Sequence, residues 1–151
     1  MKKGLFILIN ILGYFWQLPQ HLLALVLLLI YRRHIVETRL HKSSIIFICD
    51  KFMSAGISLG NFIFITERTL EYDKNVINHE YGHSIQSYIF GLLYLLIIGI
   101  PSLINNLRSR TDNDIRSRYY TLYPEKWADK LGGVVRWFIT WAFRIWGLSV
   151  N

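Results

Sequence analysis

Cysteine is almost absent. The single thiol, Cys49, excludes an internal disulfide and suits a reducing compartment. It ends the β-branched run Ile45–Cys49, which reads as a small buried hydrophobe and not as a nucleophile. Acidic residues are scarce as well: ten stand against seventeen Lys and Arg, so the net charge is +7, with a pI near 9.7. A basic excess can serve nucleic acid or anionic lipid. Here the cations flank apolar runs and form no polar, aromatic-interleaved surface, which points away from nucleic acid and toward a lipid bilayer. Internal repeats and low-complexity segments are missing too, and 151 residues make one domain with a modest core. What the chain has in excess is apolar side chains, 52% of the total, more than a soluble domain of this size needs.

That excess is concentrated in a few runs. Gly4 to Tyr31 carries no Asp, Glu, Lys or Arg and is interrupted by Asn10, Gln17, Pro19, Gln20 and His21. As one helix it exceeds the ~20 residues that span a bilayer. Broken at Gln17-Leu18-Pro19-Gln20, it becomes two halves too short to span, a re-entrant or interfacial hairpin. Lys2 and Lys3 at one end and Arg32, Arg33 and His34 at the other place both ends on the cytoplasmic side, which favours the hairpin. The run is too long for a cleaved signal peptide, and no small-x-small site follows it. Residues 1–31 are therefore expected to form an N-terminal membrane segment. Residues 34–131 are expected to form the core domain, which includes an apolar helix over 88–104 and the chemistry-bearing residues described below. Residues 134–150, with Trp137, Trp141 and Trp146 among Arg136 and Arg144, form either an interfacial helix or a core-packed terminal one.

Within the core, Ile35 to Leu40 alternates, and Ser44–Cys49 and Ile57–Thr66 are β-rich, which predicts a small sheet of about three strands. Glu67 to Lys74 reads as a polar connector, and Asn75 or a neighbour as the cap of the next helix. That helix is expected to continue from His79 past Gln86 into the uncharged stretch Ile89 to Ile100, until Pro101-Ser102 stops or kinks it. The apolar half fits a core helix, a re-entrant segment or a marginal transmembrane helix. Asn105 to Tyr123 is a loop or a solvated helix. Pro124 opens a helix over Glu125 to Leu131, which Gly132-Gly133 ends. The fold class expected is α+β, with membrane-embedded or interfacial helices attached.

The chemistry lies in His79-Glu80-Tyr81-Gly82-His83, an H-E-x-x-H run. By composition it arises by chance in roughly one chain of this length in a few hundred. On a helix, residues four apart sit one turn above each other, so both imidazoles face one way and can hold Zn²⁺ beside the intervening carboxylate. Catalytic zinc takes a third protein ligand and leaves a position for water. Glu125-Lys126-Trp127-Ala128-Asp129 is the best downstream source: Glu125 as ligand and, one turn on, Asp129 to accept the second N–H of a ligand imidazole. Asn78 and Gln86 flank the motif and either line the cleft or cap locally. His21 reads as a polar interruption of an apolar run, and His34 and His41 as parts of a solvated basic face.

H-E-x-x-H followed by E-x-x-A-D, 125 − 83 = 42 positions later, resembles the gluzincins. The pattern is closest to the membrane zinc endopeptidases of the prenyl-protein-processing and heat-shock quality-control type. The resemblance implies a minimal zincin-like domain, His79, His83 and Glu125 as zinc ligands, Glu80 as general base and Asp129 behind a ligand imidazole. This chain is much shorter than those enzymes, so their substrates do not carry over. The function expected is hydrolysis of peptide bonds by metal-activated water, on a peptide or protein substrate that is itself membrane-associated, with the site facing the cytoplasm. Ile57–Ile65 is expected to offer an edge strand for β-addition, and Tyr119, Tyr120 or Tyr123 a donor to the oxyanion. The competing expectations are a non-catalytic zinc-stabilised membrane protein and a basic membrane-binding module.

Overall fold

The computed structural model describes residues 12–135. Helix α1 (Leu18–Tyr31) leads into a mixed sheet of four strands, β1 (Ile35–His41), β2 (Ser44–Cys49), β3 (Gly56–Leu59) and β4 (Phe62–Thr66), in the order β1-β2-β4-β3. The pairs β1/β2 and β3/β4 are antiparallel, whereas β2 and β4 run parallel. Helices α2 (Glu67–Tyr72) and α3 (Val76–Phe90) follow. A 3₁₀ turn (Gly91–Leu93) and a π segment (Leu95–Gly99) then lead to α4 (Ile100–Thr111), α5 (Asn113–Ser117), a second 3₁₀ turn (Tyr119–Thr121) and α6 (Glu125–Gly132). The small α+β architecture is the one the sequence predicts.

Strand alternation sorts the core onto two sides of the sheet. Ile46, Ile48, Ile63 and Ile65 face Val76 and the α3 side. Each such side chain, taken fully out of water, contributes about 1.5–3 kcal/mol. Phe64 and Leu59 face Ala24 of α1 on the other side, with Phe47, Phe52 and Phe62 around them. Cys49 is fully buried, as its neighbours in the sequence imply, and burial together with the Asp50 charge pushes its thiol pKa up. The sheet thus carries α3 on one side and α1 on the other.

Several local expectations need correction. Ile57 to Thr66 is not one strand: Gly60, at φ +63°, and Asn61 turn it into the β3/β4 hairpin. Glu67 to Lys74 is not a bare connector, because Thr66 caps α2 by accepting from the Thr69 N–H at 3.1 Å. Asn75 precedes α3 without a capping bond from its side chain; its N–H instead donates to Asp73 Oδ1 at 2.9 Å. Residues 88–104 are not one apolar helix. Gly91 takes φ +52° and ends α3, and the Trp16 ring occupies the space a side chain at Gly91 would need. Pro101 does not stop a helix either. It sits in the first turn of α4, where a missing N–H costs nothing. Asn105 to Tyr123, by contrast, takes the solvated-helix alternative, divided among α4, α5 and a 3₁₀ turn.

The break expected near Gln17 is present: residues 12–16 are helical, Gln17 is a turn, and α1 resumes at Leu18. The polar interruptions fold back onto α3. Ser87 Oγ donates to Gln17 Oε1 at 2.9 Å, Trp16 Nε1 donates to the Tyr88 carbonyl at 2.9 Å, and the Gln20 amide donates to the Gly91 carbonyl. Among the described residues no helix is long and apolar enough to cross a membrane. Residues 1–11 and 136–151 lie outside the described part, and with them most of the helix expected at 134–150; Val134 and Val135 are not helical.

Two glycines set the spacing that matters most. A Cβ at Gly82 of α3 would land on the Ala128 carbonyl of α6, and a Cβ at Gly132 of α6 would land on the Asn78 carbonyl of α3. The helices therefore touch backbone to backbone. Gly82→Ala is expected to cost about 1–3 kcal/mol in urea unfolding, the usual range for overpacking a tight contact. Gly99→Ala meets its nearest non-bonded atom, Leu95 Cδ2, at an ordinary 3.5 Å and should leave stability unchanged or raised. Equal unfolding midpoints for the two variants would contradict this packing.

Candidate metal centre

His79 and His83 sit one turn apart on α3, and Glu125 is the first residue of α6. All three are buried, Glu125 completely. The Nε2 atoms of both imidazoles lie 3.2 Å from the same atom, Glu125 Oε2. One ligand atom from each residue falls within 4.8 Å of the others, close enough for the three to share a metal ion.

The far sides of the rings fix which nitrogen carries the hydrogen. His79 Nδ1 is 2.7 Å from Asp129 Oδ1, a carboxylate oxygen that can only accept, so Nδ1 donates. His83 Nδ1 is 2.7 Å from Gln86 Oε1. The orientation of that amide is set by its other end, because Gln86 Nε2 donates to the Pro124 carbonyl at 3.2 Å, and a carbonyl can only accept. Both imidazoles are thus held as Nδ1–H tautomers. Their Nε2 lone pairs converge on the point that Glu125 Oε2 also faces. This is how ligand histidines are oriented: the nitrogen away from the metal is tied to an acceptor.

Three electron-rich atoms aimed at one point call for positive charge between them, as a proton or a metal ion. Burial pulls the His79 pKa down, but its bonds to Asp129 and Glu125 and the charges on Glu80 and Glu125 outweigh that and push it up to about 9. Burial works the other way on Glu125, yet the hydrogen bonds and charges of His79 and His83 hold its carboxyl well below the ordinary range. The second oxygen, Glu125 Oε1, is buried and receives no hydrogen bond of normal geometry. Tyr119 stands close enough for Glu125 to raise its pKa without satisfying that atom. An orphaned carboxylate oxygen beside two oriented imidazoles fits a divalent ion, and a two-His, one-Glu set suits Zn²⁺.

Glu80 is also buried, and its position depends on Gly56: a Cβ there would collide with the Glu80 carboxylate. Burial raises the Glu80 pKa and the Glu125 charge adds to this, while the charges of His79 and His83 oppose it. A cleft of about 640 Å³ opens over His79, Glu80, His83 and Glu125. Its walls are mainly apolar, and β3 runs along it.

β3 is the edge strand on this side of the sheet, so of Ile57–Ile65 only the β3 part holds an edge position. In the β3/β4 register Gly56 and Ser58 direct their backbone groups away from β4. Both carbonyls are already covered: Ser54 Oγ donates to the Gly56 oxygen at 3.0 Å, and Tyr94 OH to the Ser58 oxygen at 3.2 Å. Of the three tyrosines singled out by sequence, Tyr119 lines the cleft. Tyr120 packs edge-on against His79 at 5.1 Å, and Tyr123 is exposed with its hydroxyl on the Ile97 carbonyl at 2.9 Å. Burial first, and then the charges on Glu125 and Glu80, raise the Tyr119 pKa.

The structure brings His79, Glu80, His83, Glu125 and Asp129 together as the sequence predicts. The other histidines stay apart from them: His21 packs between Tyr14 and Phe62, His34 pairs with Asp50, and His41 lies edge-on to Tyr81. Gln86 and Tyr94 are the site residues whose roles the sequence left unassigned. Gln86 sits at i+3 from His83, which hints at contact, but nothing local announces its bond to Pro124.

Gln86→Leu removes the acceptor of His83 Nδ1 while keeping bulk. If His83 is a metal ligand, affinity for Zn²⁺ measured by competition with a chromophoric chelator should fall about 10–100-fold, with far-UV circular dichroism unchanged. Undiminished affinity would mean that Gln86 does not orient the ligand. No protein-family model matches the chain, and no curated protein or solved structure matches it either, so the activity has to be argued from the site itself.

Proposed function

We propose that this protein is a zinc-dependent peptide hydrolase of minimal zincin type. The observation that carries the reading is the convergence of His79 Nε2 and His83 Nε2 on Glu125 Oε2 at 3.2 Å, with both Nδ1 atoms committed elsewhere. When bound there, Zn²⁺ supplies Lewis acidity, lowering the pKa of a coordinated water toward ~7 and polarising a carbonyl.

The chain's own residues do the rest. Glu80, one residue from a ligand and open to the same cleft, takes the proton from the attacking water and delivers it to the leaving amine. Asp129 and Gln86 keep the two imidazoles in their donating orientation. Tyr119, in the cleft beside Glu125, is placed to donate to the developing oxyanion. The N–H groups of Gly56 and Ser58 face the open edge of β3 and can donate to the carbonyls of an extended peptide. The covered carbonyls of the same residues mean that the substrate is held through its acceptors more than its donors.

In the competing reading the metal only clips α3 to α6. The cleft opening onto Glu80 favours catalysis, because a closed structural site would need neither. Zinc-loaded protein is expected to cleave members of a peptide library followed by mass spectrometry. Glu80→Gln should keep stoichiometric zinc and lose turnover about 10²–10⁴-fold, the usual worth of general acid–base catalysis. Undiminished cleavage by the variant would remove Glu80 from the mechanism. Inertness of both proteins, with a Tm that falls on chelation, would leave the metal as a structural clip.

A further inference from the structure

The largest feature that the metal centre does not use is an apolar surface. On α1, Leu22, Leu25, Leu29 and Ile30 are each more than half exposed. Across the cleft, so are Leu92, Leu96 and Leu103, from the 91–99 segment and α4. Monomeric soluble proteins rarely leave a contiguous patch of this kind uncovered. The two sides belong together, because Leu23 and Val26 of α1 and Ile100, Leu103 and Leu107 of α4 all line the same cleft.

We propose that this face rests in one leaflet of an anionic lipid bilayer, with the mouth of the cleft turned toward the headgroups. Charge points to that occupant. All ten acidic residues lie outside residues 12–36 and 81–111, the two described segments that contain the face. Among the described residues of those segments the Lys and Arg positions are Arg32 and Arg33, just after α1, and Arg108 and Arg110, in the last turn of α4. Cations at the ends of acid-free apolar helices match the negative surface of an anionic leaflet.

A second copy of the chain fits less well. A two-fold interface between these faces would bring no carboxylate to any of the arginines, because the same acid-free segments would lie on both sides. Length sets the depth. α1 has 14 residues, about 21 Å of helix against a hydrocarbon core of about 30 Å, so it lies in the membrane surface and does not cross. The proposal rests on this surface alone and is independent of the metal reading.

The test uses the full chain carrying Cys49→Ala and one nitroxide label at a time, introduced by Leu29→Cys, Ile104→Cys or Glu71→Cys. The protein should co-sediment with vesicles containing phosphatidylglycerol and remain in solution with phosphatidylcholine alone. On binding, labels at 29 and 104 should gain oxygen accessibility relative to a water-soluble nickel relaxant, and the label at 71 should not. Leu25→Glu with Leu103→Glu should weaken the partition roughly tenfold or more while circular dichroism is unchanged. Failure to co-sediment would overturn the proposal. So would labels at 29 and 104 already shielded from both relaxants without lipid, since another copy or another part of this chain would then cover the face. Loss of peptide hydrolysis by Glu80→Gln with vesicle binding intact leaves this proposal standing, and the reverse result sinks it alone.

Discussion

The backbone contact between α3 and α6 is the constraint on which the candidate metal centre depends. Gly82 lies against the Ala128 carbonyl and Gly132 against that of Asn78, so neither helix interposes a side chain. That closeness brings the Glu125 carboxylate to 3.2 Å from both imidazoles. It also lets α6 serve both rings from behind, with Asp129 accepting from His79 and the Pro124 carbonyl holding the amide that accepts from His83. The placement of the Glu125 carboxylate, the ring tautomers and the interhelical distance are thus one set of contacts. An added methyl group at position 82 would disturb all of them together, which is why a change far smaller than loss of a ligand should be felt at the site.

The sheet fixes the same site from the other side. Ser84, next to His83, meets Ser58 of β3 at 2.8 Å, and Ser44 of β2 donates to Ser84 at 3.3 Å. Buried hydroxyls are costly unless paired, and this small network is satisfied only in the observed register of α3 over the strands. Gly56, on the same face of β3 as Ser58, then provides the space for the Glu80 carboxylate. The helix that carries the motif is therefore located by polar contacts at its centre and by isoleucines nearer its start, where Val76 packs on Ile46, Ile48, Ile63 and Ile65.

How much of this was legible in sequence depends on how local each interaction is. His79, Glu80 and His83 are legible because a helical period of 3.6 residues makes their spacing meaningful. Glu125 and Asp129 are legible because they repeat that logic on a second short helix. Gln86 was visible but ambiguous: its orientation depends on a carbonyl 38 positions away, and a polar residue on a helix looks the same with or without that partner. The hairpin at Gly60-Asn61 was hidden by the uniformly β-rich residues around it, although a Gly-Asn pair is itself a turn signature. The apolar stretch after Tyr88 misled for a related reason. Hydropathy reports how apolar a segment is and says nothing of the positive φ at Gly91 that divides it.

Apolar content and the buried polar cluster meet in the cleft. His79, His83, Glu125 and Glu80 are nearly inaccessible to solvent, yet the walls above them are leucine, isoleucine and valine from α1, the 91–99 segment and α4. Low polarity around a charged cluster strengthens each electrostatic contact within it, because the effective dielectric falls as water is excluded. The same walls, continued outward, form the acid-free face with arginines at its ends. Surplus hydrophobicity in so short a chain thus has two uses that do not compete: inside the cleft it isolates the polar cluster, and outside it would give lipid something to cover. The cleft reaches Glu80 between α1 and α4, so under the proposed function an apolar segment already resting on that face would have a short path to the site.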